Sequence, residues 1–123
     1  MKELLEALRK FNKDRDWPQY HSPKNLSASF LIEAAELAEI FQWLTEEESR
    51  NLSSADLKSA EEEIADVFLY LLNLADKLNI DMVSAAHKKM LLNAKKYPIN
   101  DCYGRRDKYN RLKNGARVKK EDD

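Results

Sequence analysis

The chain has 123 residues, 35% charged and 43% hydrophobic, with two glycines, three prolines and a formal net charge of −1. That length suits one domain with a single core, and the scarcity of chain breakers favours helix throughout. Near-neutrality excludes a global attraction to nucleic acid or an anionic membrane, so any phosphate recognition has to be local. Cys102 is the single cysteine, which excludes an intrachain disulfide and Cys-rich zinc or iron–sulfur sites. Residues 1–6 are amphipathic and carry acids, unlike the apolar core of a signal peptide. The longest apolar run, residues 67–72, is far shorter than the roughly 20 residues of a membrane span. A cytoplasmic, membrane-free protein is therefore expected.

Leu4, Leu8 and Phe11 recur at i, i+4, i+7 with Leu5 alongside, which predicts an amphipathic helix over 2–13. Residues 14–25 break the period. Pro18 and Pro23 each restrict the residue before them, and Trp17, Tyr20 and His21 project from an expected loop. Those side chains either plug the end of a bundle or serve recognition. A second helix is predicted over 26–44, capped by Asn25 or Ser27 and ending in Phe41 and Trp43. The capping-box spacing of Thr45 and Glu48 predicts a short helical connector. A third long helix follows over 54–78, capped by Ser53 or Ser54 and closed by a left-handed Asn79. The fourth spans 82–96, capped by Asp81 and stopped by Pro98. Past Tyr103 the pattern is lost: residues 105–123 hold eight basic and four acidic side chains, a local excess of +4. The expected division is a domain over 1–104 and a charged, flexible tail over 105–123, with Tyr109 and Leu112 as its docking points.

Two of these helices carry acids where the apolar period calls for hydrophobes. At about 100° per residue, Glu33 shares its face with Leu37, Ile40 and Leu44, and Glu36 lies one turn on. Glu63 and Asp66 share theirs with Val67, Tyr70 and Leu74. Glu39 sits further round, solvated or at the rim. A carboxylate among core-type residues loses hydration and must take up a proton, find a cation or bind a metal. If the two helices pack side by side, four carboxylates converge, and oxygen-only ligation favours Mg²⁺ or Mn²⁺ over zinc or copper. Mg²⁺ commonly completes its shell with phosphate oxygens, which points to phosphoryl or nucleotidyl chemistry. A di-iron site wants Glu-x-x-His, and neither His21 nor His87 stands three residues after a glutamate. On the fourth helix Met82, Ala86, Lys89, Asn93 and Lys96 form a stripe that is either a solvated face or a donor strip for phosphates and a base.

Taken together, four blocks resemble the MazG-like, all-α nucleoside triphosphate pyrophosphohydrolases, in particular their small dCTP pyrophosphatase branch. They are the run from Arg15 to Leu26 with Trp17-Pro18-Gln19-Tyr20-His21, then Glu33-Ala34-Ala35-Glu36 through Trp43, then Glu62-Glu63-Ile64-Ala65-Asp66-Val67 with Tyr70, and finally Lys89, Asn93 and Lys96-Tyr97-Pro98. The resemblance implies an all-α, four-helix MazG-like bundle completed by homo-oligomerisation to a dimer or tetramer, with a pocket bordered by more than one subunit. It implies Glu33, Glu36, Glu63 and Asp66 as ligands of Mg²⁺, with Mn²⁺ as a substitute, and a nucleoside triphosphate as substrate. Glu36 or Glu39 becomes the acceptor of the attacking water's proton. Trp17, His21, Trp43, Tyr70 and Asn93 fall around base and sugar, and Lys89 and Lys96 at the phosphates. The implied reaction is hydrolysis of dCTP or a related, modified dNTP to the monophosphate and pyrophosphate, as nucleotide-pool cleaning. Ile32 stands where relatives often carry glycine, Tyr20 for a frequent Phe and Lys96 for a frequent Arg, which leaves the base preference open. The rival reading is a non-catalytic helical interaction module whose acids form an interface.

Overall fold

A computed structural model describes residues 1–105, and all its regular elements there are helices. They are α1 (Lys2–Asp14), a 3₁₀ turn (Trp17–Tyr20), α2 (Pro23–Phe41), α3 (Glu46–Arg50), α4 (Ser54–Lys77), α5 (Met82–Lys96) and α6 (Ile99–Cys102). The charged tail and its docking residues Tyr109 and Leu112 lie, from 106 on, outside the described residues.

Local chemistry explains most boundaries. Thr45 and Glu48 form a complete capping box, Thr45 Oγ1 accepting from Glu48 N–H at 3.1 Å and Glu48 Oε1 from Thr45 N–H at 2.9 Å. Ser53 caps α4 by accepting from Asp56 N–H, and Asp81 caps α5 by accepting from Ser84 N–H. Asn79 takes φ 55° past the end of α4, and Ile80 N–H donates back to Ala75 O at 2.8 Å, a Schellman closure.

Helix α2 departs from the expected 26–44 at both ends. Pro23 starts it rather than breaking the chain, because a proline at the first helical position gives up an N–H that has no partner there. Ser22, held extended before the proline, is the cap and accepts from Asn25 N–H. Asn25 and Ser27 are used elsewhere, Asn25 Nδ2 donating to Tyr20 O and Ser27 Oγ to Lys24 O. The helix ends at Phe41 because Thr45 must be extended (φ −71°, ψ 165°) to cap α3. Two short elements also replace expected coil. Asp16 at φ 54° turns the chain into the 3₁₀ segment, and Pro98 opens α6 as well as ending α5.

The described residues fall into two compact units, 1–80 and 81–105. In the first, α2 packs chiefly against α4, while α1 touches the 3₁₀ turn and α4. Its core is small: Leu8, Leu26, Ala60, Leu72 and Ala75 are buried, Leu26 to 1% exposure. Leu31, Ile32, Leu57 and Ile64 stay exposed on α2 and α4. In the second unit α5 ends in Lys95 and Lys96, cations suited to a helix C-terminus.

Candidate metal centre and adjoining aromatic cavity

The pairing of α2 with α4 decides what the acids do. Glu33 and Glu36, one turn apart on α2, meet Glu63 of α4, and one carboxylate oxygen from each lies within 4.8 Å of the others. Glu33 Oε2 and Glu63 Oε2 are buried without a hydrogen-bond partner, and Glu36 is exposed. Among the described residues the ion pairs are Arg9–Asp76, Lys10–Asp14 and Arg50–Glu46, and none reaches these carboxylates.

Electrostatics carry the mark of that crowding. Loss of hydration pushes the Glu33 carboxyl above its ordinary range, reinforced by Glu36, which can share a proton with it, and by the charges of Asp66 and Glu63. The Glu63 carboxyl is raised likewise, first by desolvation and then by Glu36 and Asp66. Buried, partnerless and mutually repelling oxygens fit a hard divalent cation. Glu33, Glu36 and Glu63 would hold it.

Asp66, one turn along α4, joins this cluster to a cavity of about 210 Å³. Trp17, His21 and Tyr70 line that cavity with Asp66, so four of the residues singled out from the sequence are brought together. Phe11, Asn12, Leu69 and Asn73 also line it, along with Leu8. The indole of Trp17 packs edge-on to Phe11 (5.6 Å, 76°) and to His21 (6.3 Å, 66°), and the Arg15 guanidinium covers the Phe11 ring at 3.6 Å. Burial, and then the charge of Lys77, holds the His21 imidazole below its usual value, which favours the neutral ring.

The other singled-out residues lie elsewhere. Glu39 is exposed on α2, and Trp43, just past the end of α2, is 87% exposed and does not line the cavity. Lys89, Asn93 and Lys96 lie on α5 in the second unit, Lys89 exposed and the other two half-buried. Periodicity did carry a signal for the missed lining residues. Asn12 stands four residues after Leu8 on the buried stripe of α1, and Asn73 seven after Asp66 and three after Tyr70 on α4.

Fold and site together define an all-helical protein with a carboxylate cation centre beside an aromatic cavity. The chain belongs to the MazG-like family, whose profile matches residues 28–112. It is 36% identical over 118 residues to dCTP pyrophosphatase 1 of Homo sapiens, covering 91% of this chain and 69% of that protein. The Bos taurus protein of the same name is also 36% identical, with 91% and 70% covered. Among solved structures, a pyrophosphatase from Archaeoglobus fulgidus superposes with a TM-score of 0.76 at 47% identity, covering 80% of this chain and 92% of its own.

Proposed function

We propose that the protein is a nucleoside triphosphate pyrophosphohydrolase that converts dCTP or a related dNTP to the monophosphate and pyrophosphate with Mg²⁺, for which Mn²⁺ substitutes. The observation that carries this reading is the junction at Asp66, where partnerless carboxylates that fit a hard cation adjoin an aromatic cavity that fits a base. The pyrophosphatase relatives and the family assignment support the same chemistry.

A divalent cation supplies charge neutralisation to the triphosphate and to the charge that builds up during phosphoryl transfer. Glu33, Glu36 and Glu63 would hold it, with Asp66 as the fourth carboxylate at the border of the cavity. Water adds its oxygen to the α-phosphorus, the bond from that phosphorus to the bridging oxygen of the β-phosphate breaks, and pyrophosphate leaves. Glu36, the exposed member of the cluster, accepts the proton of the attacking water, with Glu39 as the alternative acceptor. Trp17 and Tyr70 wall the base, and His21, kept neutral, is a hydrogen-bonding partner for base or sugar. On the family resemblance alone, Lys89 and Lys96 are proposed for the phosphates and Asn93 for the base and sugar.

The active species is a dimer or dimer of dimers. Leu31, Ile32, Leu57 and Ile64 are more apolar surface than one small core covers. Trp43, outside the cavity of its own chain, is assigned to the pocket border of a second copy. Pool cleaning in the cytoplasm is the matching role, and among the described residues no helix is long and apolar enough to cross a membrane.

The test is product analysis by chromatography with purified protein. Appearance of dCMP and pyrophosphate only when Mg²⁺ or Mn²⁺ is present supports the assignment; release of single phosphate, or no turnover of any triphosphate, overturns it.

A further inference from the structure

We infer that Asn12 and Asn73 form an amide couple that reads the polar edge of the base and selects an amino-bearing pyrimidine over an oxo one. The inference rests on the proposed hydrolysis of nucleoside triphosphates at this site and names the residues that set its base preference. Asn12 is the buried polar side chain of the first unit, at 8% exposure, in a stripe that otherwise buries Leu8. Its Nδ2 donates to Asn73 Oδ1 at 2.8 Å, linking α1 to α4 on the wall of the aromatic cavity.

That one bond orients both amides and leaves half of each unused. A carboxamide offers two donor hydrogens on nitrogen and an acceptor oxygen. With Asn12 Nδ2 committed to Asn73 Oδ1, the Asn12 Oδ1 acceptor and the Asn73 Nδ2 donor remain, and neither has a protein hydrogen-bond partner among the described residues. Leu8, Phe11, Leu69 and the aromatic faces of Trp17 and Tyr70 make the apolar part of the wall, and the couple shares its polar part with His21 and Asp66. Polar groups in such a wall fix orientation in a pocket. A fixed acceptor beside a fixed donor complements the amino donor and ring-nitrogen acceptor of cytosine. It opposes uracil or thymine, which present a ring N–H and a carbonyl in the same places. A site built to hydrogen-bond one edge discriminates strongly, because the wrong edge leaves its polar groups unpaired. The neighbouring ion pair, in which Arg9 Nε donates to Asp76 Oδ2 at 3.0 Å, ties α1 to α4 a turn away and holds the couple in register.

The experiment is a comparison of kcat/KM for dCTP and dUTP in the full chain and in two variants. Asn73→Asp keeps the acceptor for Asn12 and turns the outward donor into a second carboxylate oxygen. The dCTP-to-dUTP ratio is expected to fall at least about tenfold. Asn12→Ala with Asn73→Ala removes the couple without orphaning either amide and is expected to bring the ratio towards one. A merely structural role scales both substrates alike, so an unchanged ratio in variants that still turn over triphosphate overturns the inference. A wild-type preference for dUTP overturns it as well. Should the variants fail to fold, the ¹⁵N side-chain amide resonances of the wild type decide. Those of Asn12 and Asn73 are expected to shift with dCMP and to stay in place with deoxyribose 5-phosphate; equal response to both overturns the couple. Absence of turnover with every triphosphate is a different result, and it overturns the proposed function itself.

Discussion

Glu33 on α2 and Glu63 on α4 each bury one carboxylate oxygen without a hydrogen-bond partner, and the exposed Glu36 brings an oxygen to within 4.8 Å of both. Helix pairing has thus forced together groups that repel one another in the absence of a cation. A cation bound at the proposed site would relieve that repulsion, so its binding is expected to raise stability through the same atoms.

Magnesium at about a hundredfold excess over its Kd is expected to raise the melting temperature by roughly 8–13 °C. Glu63→Gln should lose that response, melt higher than the wild type without metal, and turn over at least about 100-fold more slowly. The last figure follows because loss of a direct ligand exceeds the roughly 10–100-fold cost of losing a ligand's support. Differential scanning fluorimetry with and without Mg²⁺, beside product chromatography, checks all three. A Glu63→Gln protein that melts lower than wild type without metal would assign the side chain a structural role instead.

The raised Glu33 carboxyl has a definite sign with pH. Folded protein holds this proton more tightly than unfolded chain, so the contribution to stability is present below the ordinary glutamate value of 4.5 and lost as pH rises through the folded value. Glu33→Gln abolishes that loss. In metal-free buffer its melting temperature is expected to exceed that of wild type at pH 7, with the gap closing as pH falls towards 4.5. A gap independent of pH would show that ionisation of Glu33 is not its source.

Asp76 shows the opposite sign. Its carboxyl is held below the ordinary range chiefly by the hydrogen bonds from Arg9, so its contribution is present at neutral pH and lost as pH falls through the folded value. Asp76→Asn should lower the melting temperature modestly at pH 7 and converge with wild type in acid, as thermal denaturation across pH will reveal.

Trp17 walls the cavity while packing on Phe11 and His21. Stacking of a base on an aromatic side chain contributes about 1–3 kcal/mol, so Trp17→Ala is expected to raise KM roughly 5- to 150-fold with a smaller change in kcat. Steady-state kinetics with dCTP decide it; a fall confined to kcat would place Trp17 in the chemical step.

Leu26, at 1% exposure, is the most buried side chain of the small core. Leu26→Ala should cost about 2–5 kcal/mol through lost burial and the cavity it leaves, measurable by denaturant titration followed by circular dichroism.

The sequence by itself determined the helices and the anomaly within them. Capping at Thr45, Ser53 and Asp81, the left-handed Asn79 and the acids inside apolar periods are local facts, because a cap needs only its own turn and a helix face needs only a period. Locality also set the limit. Pro23 read as a breaker because its role as a starter depends on where Ser22 is held, and the 3₁₀ turn follows from a left-handed Asp16 that no period signals. Only the tertiary structure decided which acids meet and what lies beside them. Packing of α2 on α4 brings Glu33, Glu36 and Glu63 within 4.8 Å of one another, and Asp66, whose charge acts on Glu33 and Glu63, also lines the cavity. Tertiary packing also joined Asn12 to Asn73 across 61 positions of chain. Contacts between helices distant in sequence depend on how side chains interdigitate across the interface, and no pattern within a single helix encodes that.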